Sequence, residues 1–284
     1  MNRLPIERRI AIIRSLVDGS SVRAACHVNS VAKGTVLKLL AEIGAACADY
    51  QNRHFVQLPC RRVQCDEIWS FVGAKEKNAP IADKGNGRGD IWTWTAICAD
   101  TRLVPCWHIG GRDADAALVF LEDLASRLAN RVQLTTDAHH AYLSATERAF
   151  GWGGADYAML LKLYGSSSGA GRYSPPEVVG IEKRVIMGKP DDAHVSTSYA
   201  ERSNLTMRMS IRRFTRLTNA FSNKLENHMH AVSLHFMNYN FCRPHQTLTR
   251  LAKGIHTTPA IAAGITNHVW QIDEVVQLIE APSN

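Results

Sequence analysis

The feature that most constrains this chain is an ordered change of hydrophobic period between Arg62 and Phe150. Arg62 to Val72 reads as a strand, and Ile91 to Ile109 as two strands around the turn signal Asp100-Thr101-Arg102. From Asp113 to Leu128 the period becomes helical, with Leu118, Leu121, Leu124 and Leu128 on one stripe. Arg131 to Thr136 is again a short strand, stopping at Asp137, and a helix follows near Ser144 to Phe150. Glu76 to Asp90 is a polar, Gly-rich loop. Further on, Tyr157 to Tyr164 fits strand or helix, and Gly165 to Pro176 reads as a loop. A long helix begins near Thr197 and another runs from about Asn223 to Asn240.

The order strand, hairpin, helix, strand, helix points to an α/β core with a mixed sheet, of the ribonuclease H-like kind. Ahead of it, residues 1–48 read as three short helices. Ile6, Ile10, Ile13 and Val17 share one face of the first, and Asp18-Gly19-Ser20 ends it. The next two have the layout of a helix-turn-helix, with Val36, Leu39, Leu40 and Ile43 as the apolar stripe of the third. Lys33, Thr35 and Lys38 then fall on the exposed early part of that helix, where base edges or phosphates would be met. A plain helical cap on the following domain would look the same. The expected organisation is a helix-turn-helix domain (1–48), a linker (49–61), a catalytic core (62–245) and a tail segment (246–284).

With 45% hydrophobic and 21% charged residues, 19 Gly and 10 Pro among 284, disorder, collagen-like repeats and coiled coil are excluded. No run nears the ~18 apolar residues of a membrane span. Met1 to Arg14 carries Glu7 and four Arg, unlike a signal peptide. Seven scattered Cys fit reduced thiols in a cytoplasm better than a disulfide framework. The net charge is +7. Between Arg202 and Leu225 there is no acid, yet Arg202, Arg208, Arg212, Arg213, Arg216 and Lys224 occur there. Such a run on one helix is a footprint for a polyanion, or else a solvated face.

Three carboxylates stand at element ends: Asp66, Asp137 and Glu201. Acids from neighbouring strand ends and a facing helix can converge, and their mutual repulsion is relieved by divalent cations. Two Mg²⁺ (or Mn²⁺) ions held there suit in-line attack on a phosphodiester. Any one of 26 acids could equally be a surface group. Context strengthens Glu201, because Asn204 and Arg208 lie on its helix face. Glu67 points to the other face of its strand and is the poorer ligand. Glu182, Asp191 and Asp192 lie in loop-like settings. His139 and His140 could touch phosphate or sit in solvent; His228 and His235 read as packing or DNA-facing residues. Trp69, Trp92, Trp94 and Trp107 read as core. Arg243 and His245, at a Pro-stopped helix end, are candidate phosphate contacts. Cys60 and Cys65 have no second pair at zinc spacing, so no zinc is expected.

The stretch YAERSNLTMRMSIRRFTRLTNAFS, with CDEIWSFVGAKEK, LTTDAHHAY and NYNFCRPHQTL, resembles the transposases of the insertion sequence one family. The resemblance runs from about Cys65 to Gly264. It implies a DDE recombinase with a ribonuclease H-like core, with Asp66, Asp137 and Glu201 as the metal-binding catalytic triad and Arg208 as their basic partner. It also implies DNA as substrate, a dimer or larger assembly on DNA, and cleavage at element ends followed by strand transfer. The helix-turn-helix would read terminal repeats, while Asn204, Arg212, Arg213 and Arg216 track backbone. Familiar members carry a Cys-rich zinc motif before the helix-turn-helix, and this chain has none. Two other functions fit the same residues: a non-catalytic DNA-binding regulator, and a structure-specific nuclease.

Overall fold

The computed structural model describes residues 3–80, 87–151, 153–165, 178–215 and 220–280. Arg216, residues 81–86 of the expected Glu76–Asp90 loop and nearly all of the expected Gly165–Pro176 loop lie outside the described residues. Three helices open the chain, α1 (Ile6–Val17), α2 (Val22–Val28) and α3 (Lys33–His54). The Ser21 hydroxyl caps α2 by accepting from Ala24 N at 3.1 Å. The stripe Val36, Leu39, Leu40, Ile43 is buried as its spacing predicts. Gly44, Cys47 and Gln51 prolong that buried stripe, so α3 runs on to His54. The predicted linker therefore starts as helix, and the boundary expected after residue 48 falls inside α3.

The sheet is built from β1 (Arg62–Val72), β2 (Gly89–Cys98), β3 (Trp107–Gly110), β4 (Val132–Asp137), β5 (Ala155–Tyr164) and β6 (Val178–Met187). Its spatial order is β3-β2-β1-β4-β5-β6. β1 pairs antiparallel with β2 and parallel with β4; β4 and β5 are parallel, and β6 returns antiparallel to β5. The apolar segment at Tyr157–Tyr164 is thus a strand. β6 corrects the loop expected around Glu182.

Helices cover both faces, which is why no residue of β1 is exposed. On one face, α4 (Ala114–Arg127) and α5 (Ala141–Phe150) bring Phe120 and Tyr142 against Cys65 and Trp94. On the other, α6 (Ser198–Ser210) and α7 (Leu225–Met237) set Met207 and Phe236 against Ile68 and Ile97. Trp94 is the one fully buried residue of the four tryptophans read as core; Trp69, Trp92 and Trp107 are half-buried. His228 and His235 are buried packing residues. α6 stops at Ser210 and Arg212–Phe214 forms a separate 3-10 turn, so the basic run does not lie on one helix.

After α7 a π-helical turn (Asn238–Cys242) leads to α8 (Gln246–Leu251), α9 (Pro259–Ala262) and α10 (Ile272–Gln277). The tail is not a separate piece. α10 packs on α1, and Glu280 receives both Arg3 and Arg9. One apolar cluster joins Ile12 and Leu40 to Phe120, Tyr142 and Val276. Among the described residues, no helix is long and apolar enough to cross a membrane.

Gly44 lets α3 lie close against α7. A Cβ there would stand 2.5 Å from His230 Cβ and 2.6 Å from its Cα. Backbone cannot yield as a flexible side-chain tip can, so Gly44→Ala should destabilise the chain by about 2–4 kcal/mol. Urea unfolding of the variant would measure this; a change under about 0.5 kcal/mol would mean that α3 and α7 separate freely.

Candidate functional site

β1 and β4 pair over only three residues, and the last pair is Gln64 with Thr135. Asp66 and Asp137 each lie two residues beyond it, so they reach the same level as the strands part. This point is also where the sheet changes its direction of growth, β2 and β3 lying on one side of β1 and β4 and β5 on the other. In open α/β sheets such a switch point, outside the carboxyl ends of the parallel strands, is where ligands settle.

Asp66 faces α6. Its Oδ2 accepts from Asn204 Nδ2 at 2.8 Å and its Oδ1 from the Glu67 backbone N–H at 2.9 Å. Asp137 Oδ1 accepts from His139 N–H at 3.0 Å. Glu67 faces α4 and α5, as alternation predicts, and its side chain is only 1% exposed. Arg112 Nε and Nη2 donate to its Oε1 at 2.8 and 2.7 Å, and the Tyr142 hydroxyl donates to Oε2 at 3.1 Å. Even so, Asp66, Glu67 and Asp137 each offer an oxygen, all within 4.8 Å of one another. Glu67 thus lies on the face expected of it and is still close to both aspartates, because β4 has parted from β1 at this level.

Glu201 is near this group but outside it. α6 is docked on β1 by Gln64, whose buried Oε1 accepts from Tyr199 N at 2.7 Å and Ala200 N at 3.3 Å. That contact fixes the first turn of α6, where Glu201 Oε1 takes the Thr197 hydroxyl at 2.5 Å and an ion pair from Lys162 of β5.

Burial pushes the Asp66 carboxyl up to about 7, with further increments from Glu67, Asp137 and Glu201 that outweigh the backbone hydrogen bond. Glu67 is raised chiefly by burial and then by Asp137, against the lowering effect of Arg112. Arg112 pairs with Glu67 at one side of the cluster. Oxygen donors in this number are a hard-cation ligand set, and the Asn204 Oδ1, buried beside Asp66, has no hydrogen-bond partner. The residues present fit a divalent cation between Asp66 and Asp137, with Glu67 or Glu201 as further oxygen donor.

The other expected site residues divide. Lys33 and Lys38 are exposed at the start of α3 and Thr35 is half-buried there; Lys38 pairs with Glu42 at 3.8 Å. Arg212 and Arg243 are exposed. Asn204, expected at DNA, is 5% exposed and bonds Asp66 instead. Arg213 is turned inward, its Nε donating to Ser222 Oγ at 2.6 Å, and burial lowers its pKa to about 10. Arg208 is half-buried on the Glu201 helix. The side chain of His139 packs under the cluster with Nε2 4.0 Å from Glu67 Oε1, so His139 and His140 are not a pair of solvent residues. His245 is half-buried near Arg102, Arg243 and Arg202; burial and then these charges lower its pKa. Arg102, which sequence reasoning missed, is buried and stacks 3.5 Å over Tyr199 at the start of α6. The turn signal Asp100-Thr101-Arg102 located the residue but carried no sign of its burial; its φ is +63°. Cys60 and Cys65 are buried core thiols. No family model matches the chain, and no curated protein matches it.

The raised carboxyl has a stability consequence. Between about pH 4 and 7 the folded chain binds more protons at Asp66 than the unfolded chain, so this group's contribution falls as pH rises. Without divalent cations at pH 8, Asp66→Asn should melt about 3–8 °C above the parent chain, and the gap should close by about pH 4. An Asp66→Asn chain melting at or below the parent at pH 8 would show that the cluster is not under electrostatic load.

Proposed function

We propose that this chain is a DNA transposase of the DDE type on a ribonuclease H-like core, cutting at element ends and joining them to target DNA. The observation that carries the reading is the meeting of Asp66 and Asp137 just past the last parallel pair of β1 and β4, with Glu201 in the first turn of the helix docked on β1. The strand order and the family resemblance of the surrounding motifs support it.

Asp66 and Asp137 would hold Mg²⁺ (or Mn²⁺), with Glu201 as third ligand once it leaves Lys162. When bound, two such ions stabilise the attacking and leaving oxygens of an in-line displacement. Asn204 and the Glu67 N–H fix both oxygens of Asp66, so that its carboxylate does not rotate. Arg112 and Tyr142 hold the Glu67 carboxyl in place beside it. In the reaction a water adds to the phosphodiester at the element end and the 3′ oxygen leaves with a proton. That 3′-hydroxyl then displaces a 3′ oxygen in the target. The exposed Arg212 and Arg243 suit the sequence-independent hold on backbone, and Lys33, Thr35 and Lys38 suit recognition of the terminal repeat. Two copies, one per element end, would be needed.

A nuclease that cleaves without joining is favoured by one observation, the tighter grouping of Asp66 and Asp137 with Glu67 than with Glu201. The test is incubation with the DNA flanking the chain's own gene and Mg²⁺, resolving cleaved from joined strands. Joined products are expected from the parent chain. Asp66→Asn, Asp137→Asn and Glu201→Gln should each lose more than about 1,000-fold in joining while still binding DNA. Glu182→Gln and Asp192→Asn should retain most of it. Cleavage without joining, with Glu201→Gln active and Glu67→Gln dead, would establish the nuclease.

A second readout needs no turnover. Mg²⁺ or Mn²⁺ at pH 8 should raise the melting temperature of the parent chain and leave Asp137→Asn unmoved. Equal shifts in both would remove Asp137 from the cation site.

A further inference from the structure

Arg102 is 8% exposed, yet its Nη1 has no hydrogen-bond partner, and no carboxylate pairs with it among the described residues. A charge withdrawn from water in this way is costly unless something neutralises it. Its guanidinium carbon stands 3.5 Å from the centre of the Tyr199 ring, which offsets part of that cost but offers the N–H groups no acceptor oxygen. The acids nearest in sequence are engaged elsewhere, Asp100 with Arg62 and Glu201 with Lys162.

Other unpaired donors gather at the same place. Arg202 follows Tyr199 by three residues on α6, so the two side chains are neighbours on its surface. The Tyr239 hydroxyl donates to the Arg102 carbonyl at 3.1 Å and ties this turn to the π-helical turn Asn238–Cys242. Just past that turn the backbone is extended at Arg243 and at His245, which sets their side chains on one side of the chain. His245 is half-buried, the charges of Arg102, Arg243 and Arg202 all bear on it, and its buried Nδ1 has no partner. Neither Arg202 nor Arg243 is in an ion pair among the described residues.

We propose that Arg102, Arg202, Arg243 and His245 form a binding site for a phosphomonoester dianion. The charges select that class. Three guanidinium groups face no anion of the protein, and a phosphodiester brings only a single charge and two free oxygens. A phosphomonoester brings a charge of about −1.5 to −2 and three acceptor oxygens, which suit the paired N–H groups of the Arg forks. Arg102 is the buried side of the site, and the exposed Arg202 and Arg243 are its mouth. Cys98, where this turn leaves β2, pairs with Val63, three residues or about 10 Å from Asp66 along β1. The site therefore stands apart from the acidic cluster and needs no metal. Arg243 and His245, each a candidate phosphate contact in the sequence, are joined here to two arginines that the sequence did not connect with them. A nuclease or a regulator on this core would present the same four residues, so the site does not rest on the transposase reading. A terminal phosphate on a nucleic-acid strand and a free phosphorylated small molecule share the chemistry it recognises.

Thermal melting of the full chain without divalent cations, at about pH 7.5 where phosphate is mostly dianionic, tests the site. About 20 mM inorganic phosphate should raise the melting temperature of the parent chain by about 2 °C or more over chloride of equal ionic strength. Dimethyl phosphate, a diester, should not. Asp137→Asn should respond as the parent does, while Arg102→Gln and Arg243→Gln should lose the shift. Arg243 is exposed, so its variant carries the test even if Arg102→Gln fails to fold. Binding of one short oligonucleotide with and without a 5′-phosphate then identifies the source. A preference of more than about tenfold for the phosphorylated form, lost in Arg243→Gln, assigns the site to strand ends. Equal binding of the two, with the phosphate shift intact, assigns it to a free phosphorylated small molecule. No phosphate shift, an equal shift with dimethyl phosphate, or a shift undiminished in Arg243→Gln would overturn the proposal.

Discussion

β1 and β4 stop pairing after Gln64 and Thr135, and three carboxyl groups occupy the place where they part. Like charges at this spacing, removed from water, oppose folding. The surroundings are arranged to limit that cost without abolishing it. Arg112 and Tyr142 neutralise Glu67 on the α4 and α5 face, and Asn204 reaches Asp66 from α6. Asp137 receives only a backbone N–H among the described hydrogen bonds. The residual load on Asp66 is what a bound cation would relieve, so the same burial that burdens the free chain would favour the loaded one.

Glu201 stands on a fixed helix beside the cluster. Its helix cannot slide, because Gln64 holds the first turn to β1. Its side chain is exposed enough to turn, and its partners Lys162 and Thr197 are outside the acidic group. A cation near Asp66 would compete with the Lys162 ammonium for the same carboxylate.

Where one face of an element met the core, its period was legible: β1, α4 and the stripe of α3 lie where hydrophobic spacing predicts them. β6 was illegible for a physical reason. Its apolar residues are not turned to this chain's core, and Glu-Lys-Arg at its centre breaks the alternation, so nothing in VVGIEKRVIM indicates a buried side. Glu67 lies on the face that alternation predicts, but its closeness to Asp66 and Asp137 was not legible, because alternation says nothing about where a strand parts from its neighbour. Asn204 and Arg213 were read as surface residues from their company of basic side chains. Whether a polar side chain on a helix turns inward depends on what faces it, here Asp66 and Ser222, and those are 138 and 9 residues away.

The length of α3 changes what the first helices can be. Its 22 residues make a rod of about 33 Å. Lys33 and Lys38 ride on its first turns, while Gly44 and Gln51 seat its later turns against α7 and the core. Gln51 Oε1 takes a hydrogen bond from Asn240, which also clasps the backbone of Val104 at 3.0 and 3.1 Å. A removable recognition module would be joined by a flexible linker; here the exposed basic turn and the buried polar clasp are two ends of one helix. Force or displacement at Lys33 is thus delivered to the layer between α3, α7 and the sheet rather than absorbed in a hinge. Any nucleic acid held at that turn would be positioned relative to the sheet by α3 and by its contacts with α7 and Asn240.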